Sequence, residues 1–368
     1  MILTVFGTTG ELIKLAPVLV RLQRRGYPFV LATTAQQVTQ IPPFLEQFGL
    51  PQPDVWLARG SGGRDLATNR DIPGWLARVG RSFARERGRL RRTLATGPGR
   101  PLVLVHGDTM TTVLGAAMGR ALRAPVAHIE GGLRSGDLRN PFPEELNRRV
   151  TSRVAHIHYA PGAGATSNLA GRGIVVDTGS NTVRDSLELV PDDLKPTFPV
   201  PEEPFGIVSL HRFELLGSRQ LLTETITSLV AAAEATPLLF VDHSVTVAAI
   251  ERFGLGSLFA GSKLQRIPRL RFFDFVQLER RGAFVVTDSG GSQQECYYLD
   301  KPCLVHRRRT EWMEGLGENI VLSRFDAGTL RSFLSDPARH RRTRPLVPQS
   351  PGDVIVAHMM EQGFVVAS

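Results

Sequence analysis

The chain has 368 residues, is 42% hydrophobic and 21% charged, and carries a formal charge of +9 at neutral pH; this supports two domains of ordinary size and excludes a disordered or fibrous protein. The sequence pI is near 10.3, yet the basic residues are scattered over many segments instead of forming one tail or stripe, so no nucleic acid is expected as a partner. No apolar run reaches the ~18 residues a spanning helix needs, and MILTVFG enters a strand and turn without a charged lead or cleavage site, so no membrane association and a cytoplasmic location are expected. Cys296 and Cys303 lack metal-ligand spacing and read as buried thiols in a reducing compartment. Of the 44 lysines and arginines only Lys14, Lys195, Lys263 and Lys301 are lysines.

In chain order, β-branched runs alternate with amphipathic ones. A strand over 2–6, a Gly/Thr turn over 7–10, a helix over 11–25 and a strand over 29–33 make one βαβ unit. The Gly- and Arg-rich stretch 58–76 reads as a loop, and the Arg-laden helix over 76–95 as a solvated face. Strands follow at 102–105, 125–129, 155–160 and 175–179, with a helix over 111–122 and one starting at the SNTVRDSL segment, capped by Ser180 or Asn181. The proline-rich stretch 190–204 is the predicted linker. Beyond it the pattern restarts: strands at 205–210, 238–242, 265–267, 283–287 and 303–306, with helices over 218–235, 247–253 and 272–280 and one running from a Gly-rich turn to Leu299. The predicted architecture is α/β, with two Rossmann-like domains facing a central cleft in a GT-B-like arrangement.

Open α/β sheets place ligands at the carboxyl ends of their strands. There, Gly107, Asp108 and Thr109 follow one strand, Glu130, Gly131 and Gly132 the next, and Glu144 and Glu145 open a helix after the turn-like NPFP at 140–143. Carboxylates gathered this way suit proton transfer at carbon. In the second half, His211 stands at the end of the first strand and His243 at the matching place on the next, with Arg212 able to screen phosphate charge. Gly290 and Gly291 in TDSGGSQQE open a helix, where free N–H groups favour a phosphate, although a tight βα turn explains them equally well.

HGDTMTT, HIEGGLRSGD, PFPEELNR and TDSGGSQQE occur in an order that resembles the non-hydrolysing UDP-N-acetylglucosamine 2-epimerases, and the likeness runs from GTTGELIKLAP at 7–17 to SPGD at 350–353. The resemblance implies a homodimeric enzyme with a UDP-sugar substrate and no cofactor or metal, inverting C2 by elimination and re-addition of UDP. Asp108, Glu130 and Glu144 would exchange the C2 proton, with His211 beside the sugar and diphosphate. Lys14, Arg134, Arg212 and His243 would line the substrate. The turn of Ser289, Gly290 and Gly291 would hold the diphosphate, Glu295 the ribose hydroxyls, and the backbone around Phe275 would face the uracil. Residues 1–190 with a returning C-terminal helix at 350–368 would form the carboxylate domain, and 205–349 the UDP-binding domain.

The chain departs from this pattern in places. Thr9 and Gly10 replace an arginine and a proline, and Gln37, Val38 and Thr39 replace the His, Arg and Glu that bind an activating nucleotide sugar. Phe213 stands at a position where an arginine is common, Asp300 replaces a helix-ending glycine, and in the Arg307, Arg308, Arg309 run only Arg307 matches. A GT-B glycosyltransferase, a hydrolysing epimerase releasing UDP and N-acetylmannosamine, and a non-catalytic nucleotide-sugar binder are the alternatives.

Overall fold

The computed structural model describes residues 1–66, 68–137, 142–194, 198–343 and 349–366. Asn140 and Pro141 of the NPFP turn and residues 195–197 of the predicted linker lie outside them. The elements are β1 (Ile2–Phe6), α1 (Thr9–Arg24), β2 (Phe29–Thr33), α2 (Ile41–Gln47), β3 (Val55–Trp56), α3 (Ile72–Thr96), β4 (Leu102–His106), α4 (Met110–Leu122), β5 (Val126–Ile129), α5 (Glu144–Val154), β6 (Ile157–Ala160), α6 (Ala163–Ser167), β7 (Ile174–Asp177) and α7 (Val183–Glu188). They continue as β8 (Gly206–Ser209), α8 (Phe213–Leu216), α9 (Arg219–Ala233), β9 (Leu238–Asp242), α10 (Ser244–Phe253), β10 (Leu264–Pro268), α11 (Phe272–Arg281), β11 (Phe284–Thr287), α12 (Gly290–Tyr298), β12 (Cys303–Val305), β13 (Ile320–Leu322), α13 (Ala327–Ser335) and α14 (Pro351–Glu361).

The chain divides into two units, Met1–Leu189 with Val347–Ser368, and Val190–Leu346. Each is built on one parallel sheet, ordered β3-β2-β1-β4-β5-β6-β7 in the first and β10-β9-β8-β11-β12-β13 in the second. Parallel sheets carry crossover helices on both faces, so their strands are apolar throughout. In the first unit Leu3, Val5, Val103 and Val105 pack on one face with Trp75, Val79 and Leu90 of α3. In the second, successive residues of β8 part to opposite faces: Val208 joins Phe240, Ile226 and Phe333, and Ile207 joins Leu239, Val241 and both buried cysteines. The strand order reverses between β1 and β4 and between β8 and β11, which opens a crevice at the carboxyl ends of those pairs.

Helix starts explain where boundaries moved from the sequence expectation. The first helix begins at Thr9, two residues early, because Thr8 and Glu11 form a reciprocal capping box. The Arg-rich helix begins at Ile72 because Pro73 occupies its first turn, where the missing N–H costs nothing. The pattern reading missed β3 and β13, of two and three residues, which are too short for a period to show.

Helix α14 returns to the first unit through a buried carboxylate. Asp185, fully buried, accepts hydrogen bonds from the Ser350 hydroxyl (2.9 Å) and the Gly352 N–H (2.6 Å) and lies 3.4 Å from the Arg21 guanidinium. A Cβ at Gly352 would stand 2.5 Å from the Asp185 carboxylate, so only glycine allows the approach. Asp185→Ala strands these donors, and unfolding in urea should show a stability loss of about 2–4 kcal/mol; an unchanged midpoint would free α14 from this anchor.

Candidate active site

In the first unit the predicted carboxylates lie on neighbouring strand ends and the helix that follows them. Glu130 ends β5 with φ +64°, a left-handed conformation rare outside glycine that often marks a functional site. It is 8% exposed, and its Oε2 accepts from both the Lys14 ammonium of α1 and the Asn181 amide at the start of α7. His106 Nε2, at the end of β4, lies 3.7 Å from the same oxygen. The ammonium of Lys14 is thus engaged with Glu130 itself.

Asp108 receives Arg148 Nη2 of α5 at 2.5 Å on its carboxylate and the Asn147 amide at 2.9 Å on its backbone carbonyl. Helix α5 therefore reaches back to the β4 turn through Asn147 and Arg148, one helical turn after Glu144, its first residue. Among the described residues, Glu144 Oε2 is a buried acceptor with no hydrogen-bond donor. Its neighbour Glu145 is fully committed, to the Ser135 N–H at 3.0 Å and Arg149 at 2.9 Å. Arg134 donates to the Leu133 carbonyl (2.7 Å) and the Ser152 hydroxyl (3.0 Å), which fixes the loop after β5 against α5.

Glu11 joins the two turns at the reversal of strand order. Its Oε2 accepts from the Gly7 and Thr8 N–H groups at 2.9 Å each, and its Oε1 from the hydroxyl of Thr109, the cap of α4, at 2.8 Å. Burial pushes its carboxyl up to about 7 against the pull of these bonds. Gln37 Oε1 accepts from both the N–H and the hydroxyl of Thr9 at 2.8 Å, and Gln36 donates to Thr111 at 2.9 Å. Thr9 and Gln37, which depart from the family pattern, are therefore bonded to each other in this same corner, next to Gln36, which matches it.

The second unit gathers cations and histidines around one buried acid. Asp288, at the end of β11 and fully buried, accepts from the N–H of His211 (2.9 Å) and of Arg212 (2.7 Å). Burial raises its carboxyl to about 6, opposed by those amide bonds. The His211 ring lies 4.6 Å, centroid to centroid, from that of His243, whose Nε2 meets the Ser209 hydroxyl at 3.0 Å. Ser289 caps α12, accepting from the N–H of Gly291 at 3.2 Å and of Ser292 at 3.4 Å. Arg307, 8% exposed, has Nε and Nη1 without a hydrogen-bond acceptor among the described residues. A Cβ at Gly290 would meet Glu311 at 3.3 Å and Arg307 Nη1 at 3.9 Å, so this guanidinium stands beside the glycine turn. A buried cation and a helix N-terminus at one place are suited to an anion such as phosphate.

Two further residues lie on the helices of this unit. Glu295 is buried on α12. Phe275 packs against the core with Ile267 and Leu278, and its N–H is spent on the Arg271 carbonyl at 2.9 Å. Sequence reasoning missed Asp288, Arg148, Asn181 and His106 as parts of the site. Asp288 and His106 lie inside the motifs TDSGGSQQE and HGDTMTT; the N-cap of α7 is Thr182, not the expected Ser180 or Asn181, and Asn181 instead gives its amide to Glu130 while its Oδ1 accepts from the Val183 N–H at 3.0 Å.

Residues 94–329 match the family model described as UDP-N-acetylglucosamine 2-epimerase. A protein of Ralstonia solanacearum called a probable UDP-N-acetylglucosamine 2-epimerase is 33% identical over 351 residues, covering 90% of this chain and 86% of its own. The chain belongs to the UDP-N-acetylglucosamine 2-epimerase family. A family relative of Pseudomonas aeruginosa, UDP-2,3-diacetamido-2,3-dideoxy-D-glucuronate 2-epimerase, is 30% identical, covering 92% of this chain and 91% of its own. Among solved structures, the Methanocaldococcus jannaschii UDP-GlcNAc 2-epimerase in complex with UDP-GlcNAc and UDP superimposes with a TM-score of 0.77 at 25% identity, covering 98% of this chain and all of that one. The two Rossmann-like units of this family member are those expected from the sequence. No helix among the described residues is long and apolar enough to cross a membrane.

Burial places the ring pKa of His211 and His243 at about 4, with neighbouring Arg212 pressing on the first and His211 on the second. A ring whose folded pKa lies below its ordinary 6.5 stays neutral while the unfolded chain takes up a proton, so stability is lost as pH falls from about 6.5 toward 4. Ring C–H shifts of both residues should therefore stay flat by NMR from about pH 8 to 5; a midpoint near 6.5 in either would contradict the burial argument.

Proposed function

We propose that this protein inverts C2 of UDP-N-acetylglucosamine to give UDP-N-acetylmannosamine, by elimination and re-addition of UDP. The observation that carries the reading is the carboxylate set of the first unit: Asp108 and Glu130 each held by a cation, and Glu144 with a buried, undonated oxygen. A C2 proton beside an acetamido group is not acidic enough to be removed and returned directly. Breaking the C1–O bond lets UDP leave with the electron pair; a carboxylate takes the C2 proton, and a glycal-like intermediate with a C1–C2 double bond results. Delivering a proton to the opposite face while UDP returns to C1 completes the inversion, and no electrons are gained or lost.

The second unit suits the leaving group. Negative charge developing on the β-phosphate would be met by the α12 N-terminus, Ser289, Arg307, His211 and Arg212, donors already fixed in place, which is how preorganised electrostatics lowers a barrier. Glu295 would take the ribose hydroxyls. His211 and His243, neutral through burial, would act as hydrogen-bonding groups there and not as cations. Arg134 and Lys14 would act mainly by holding the loop after β5 and the Glu130 carboxylate. A homodimer and a cytoplasmic location belong to the same reading, supported by the family resemblance and by two free buried thiols of the kind that persist in reducing compartments.

Purified protein incubated with UDP-N-acetylglucosamine in D2O should form UDP-N-acetylmannosamine carrying deuterium at C2. UDP plus free sugar would indicate hydrolysis, and a product formed only with an added acceptor would indicate transfer. Asp108→Asn, Glu130→Gln and Glu144→Gln should each lower kcat at least ~100-fold while UDP affinity measured by calorimetry changes little; wild-type turnover in all three would remove them from the mechanism.

Regulation by a second nucleotide sugar is not expected. Gln37 spends its carbonyl on Thr9 and Gln36 its amide on Thr111, and Val38 offers no polar partner to offset desolvation. Initial rate against UDP-N-acetylglucosamine should be hyperbolic, and the reverse reaction should start from pure UDP-N-acetylmannosamine. A sigmoidal curve, or a lag relieved by the gluco isomer, would reveal an activator site.

A further inference from the structure

Three strands of the first unit each bury a histidine under the carboxylates: His106 on β4, His128 on β5 and His158 on β6, with His128 paired to His158 across the ladder. They differ in one respect. Neither ring nitrogen of His106 or His158 has a hydrogen-bond partner among the described residues, whereas His128 Nε2 lies 2.7 Å from the backbone carbonyl of Gly107. A carbonyl can only accept, so this nitrogen carries the proton.

The Gly107 peptide is thereby gripped twice from β5. Its N–H donates to the Ile129 carbonyl at 3.0 Å, which merely extends the sheet ladder, and its own carbonyl accepts from the side chain one residue earlier. Gly107 turns with φ +70° and Glu130 with φ +64°, so both strand ends leave the sheet in left-handed conformations. Asp108 is the residue after the gripped peptide, and Glu130 the residue after Ile129. A Cβ built on Gly107 would stand 3.7 Å from Glu130 Oε1, so the Glu130 carboxylate lies close over the gripped turn. Asp108 is held from the α5 side by Asn147 on its carbonyl and Arg148 on its carboxylate, and the His128 bond to the Gly107 carbonyl is what holds the peptide entering Asp108 from the β5 side. The ring is edge-on to His158 at 6.1 Å and fully buried. Burial holds its pKa at about 4, so the donor tautomer is the neutral one throughout the working range.

We infer that His128 is a positioning residue that sets the spacing of Asp108 and Glu130 through its hydrogen bond to Gly107, an inference that rests on the epimerase reading above. The reaction requires a proton to leave one face of C2 and arrive at the other, and displacement of one carboxylate by an ångström is enough to slow such a step. The effect belongs to turnover and leaves the nucleotide-binding turn of the second unit untouched.

His128→Phe keeps the ring volume and removes the donor; His128→Gln restores an N–H at about the reach of Nε2. The Phe variant should lose ~10- to 100-fold in kcat, with KM and the calorimetric affinity for UDP within about twofold, and the Gln variant should recover most of the loss. A folded Phe variant with wild-type kcat overturns the inference, as does a Gln variant no better than Phe, which would mean that packing alone matters. Long-range ¹⁵N–¹H NMR on the unaltered protein supplies a test independent of any variant's folding: the Nε2–H tautomer of His128 is expected, and an Nδ1–H tautomer overturns the inference. If the wild-type protein itself places no deuterium at C2, it is the epimerase reading that fails, and the tautomer still decides the geometry.

Discussion

A carboxylate taken out of water must be paired or the fold loses several kcal/mol, and Glu130 shows what that obligation builds. Its two donors come from distant parts of the chain, Lys14 on α1 and Asn181 before α7. Satisfying one oxygen therefore fixes where α1 and the last helix before the unit boundary must lie. The left-handed backbone at Glu130 adds a cost on the order of 1 kcal/mol, which a strand end would shed if the donors were absent. The same contacts that make the burial tolerable hold the carboxylate still, which suits the proton-transfer role proposed for it.

The second unit applies the constraint with a different outcome. Asp288 is satisfied chiefly by backbone N–H groups of His211 and Arg212. Using peptide donors to neutralise the buried acid leaves the neighbouring side chains uncommitted to it. Arg307 can keep two nitrogens without a hydrogen-bond acceptor beside a glycine turn, and His211 keeps Nδ1 3.5 Å from Asp288 without forming a hydrogen bond. Glu311 Oε2, 3.5 Å from Arg307 Nη1, answers part of this charge, and the nitrogens left without a hydrogen bond suit a further anion. On α11, Glu279 is fully buried with its carboxyl raised well above the ordinary range, first by burial and then by Glu295.

The two units thus differ in the charge they gather at their strand ends. The first concentrates acids at the ends of β4 and β5 and the start of α5, Asp108, Glu130 and Glu145 tethered to cations or amides and Glu144 keeping a buried oxygen without a donor among the described residues. The second concentrates donors at the ends of β8, β9 and β11 and the start of α12. Both follow from one topological fact: in a parallel sheet the carboxyl ends of the strands share an edge, and a reversal of strand order opens space there.

Much of this was determined by the sequence alone. Apolar runs of four or five residues alternating with amphipathic stretches specify parallel sheets, because only strands covered on both faces are so uniformly apolar. The polar residues directly after those runs, Asp108, Glu130, His211 and Ser289, had to lie at strand ends or helix starts whatever the tertiary details. Partnership was decided only by tertiary structure. Nothing local in Lys14, Asn181 or Arg148 says which carboxylate each will meet, since the pairs are separated by 116, 51 and 40 residues. Nothing local in TDSGGSQQE shows that Asp288 will accept the N–H groups of His211 and Arg212 from the turn after β8. His128 is a core histidine whose bond to Gly107 exists because β4 and β5 are neighbours in register, and that register is a property of the folded sheet, not of any segment read by itself.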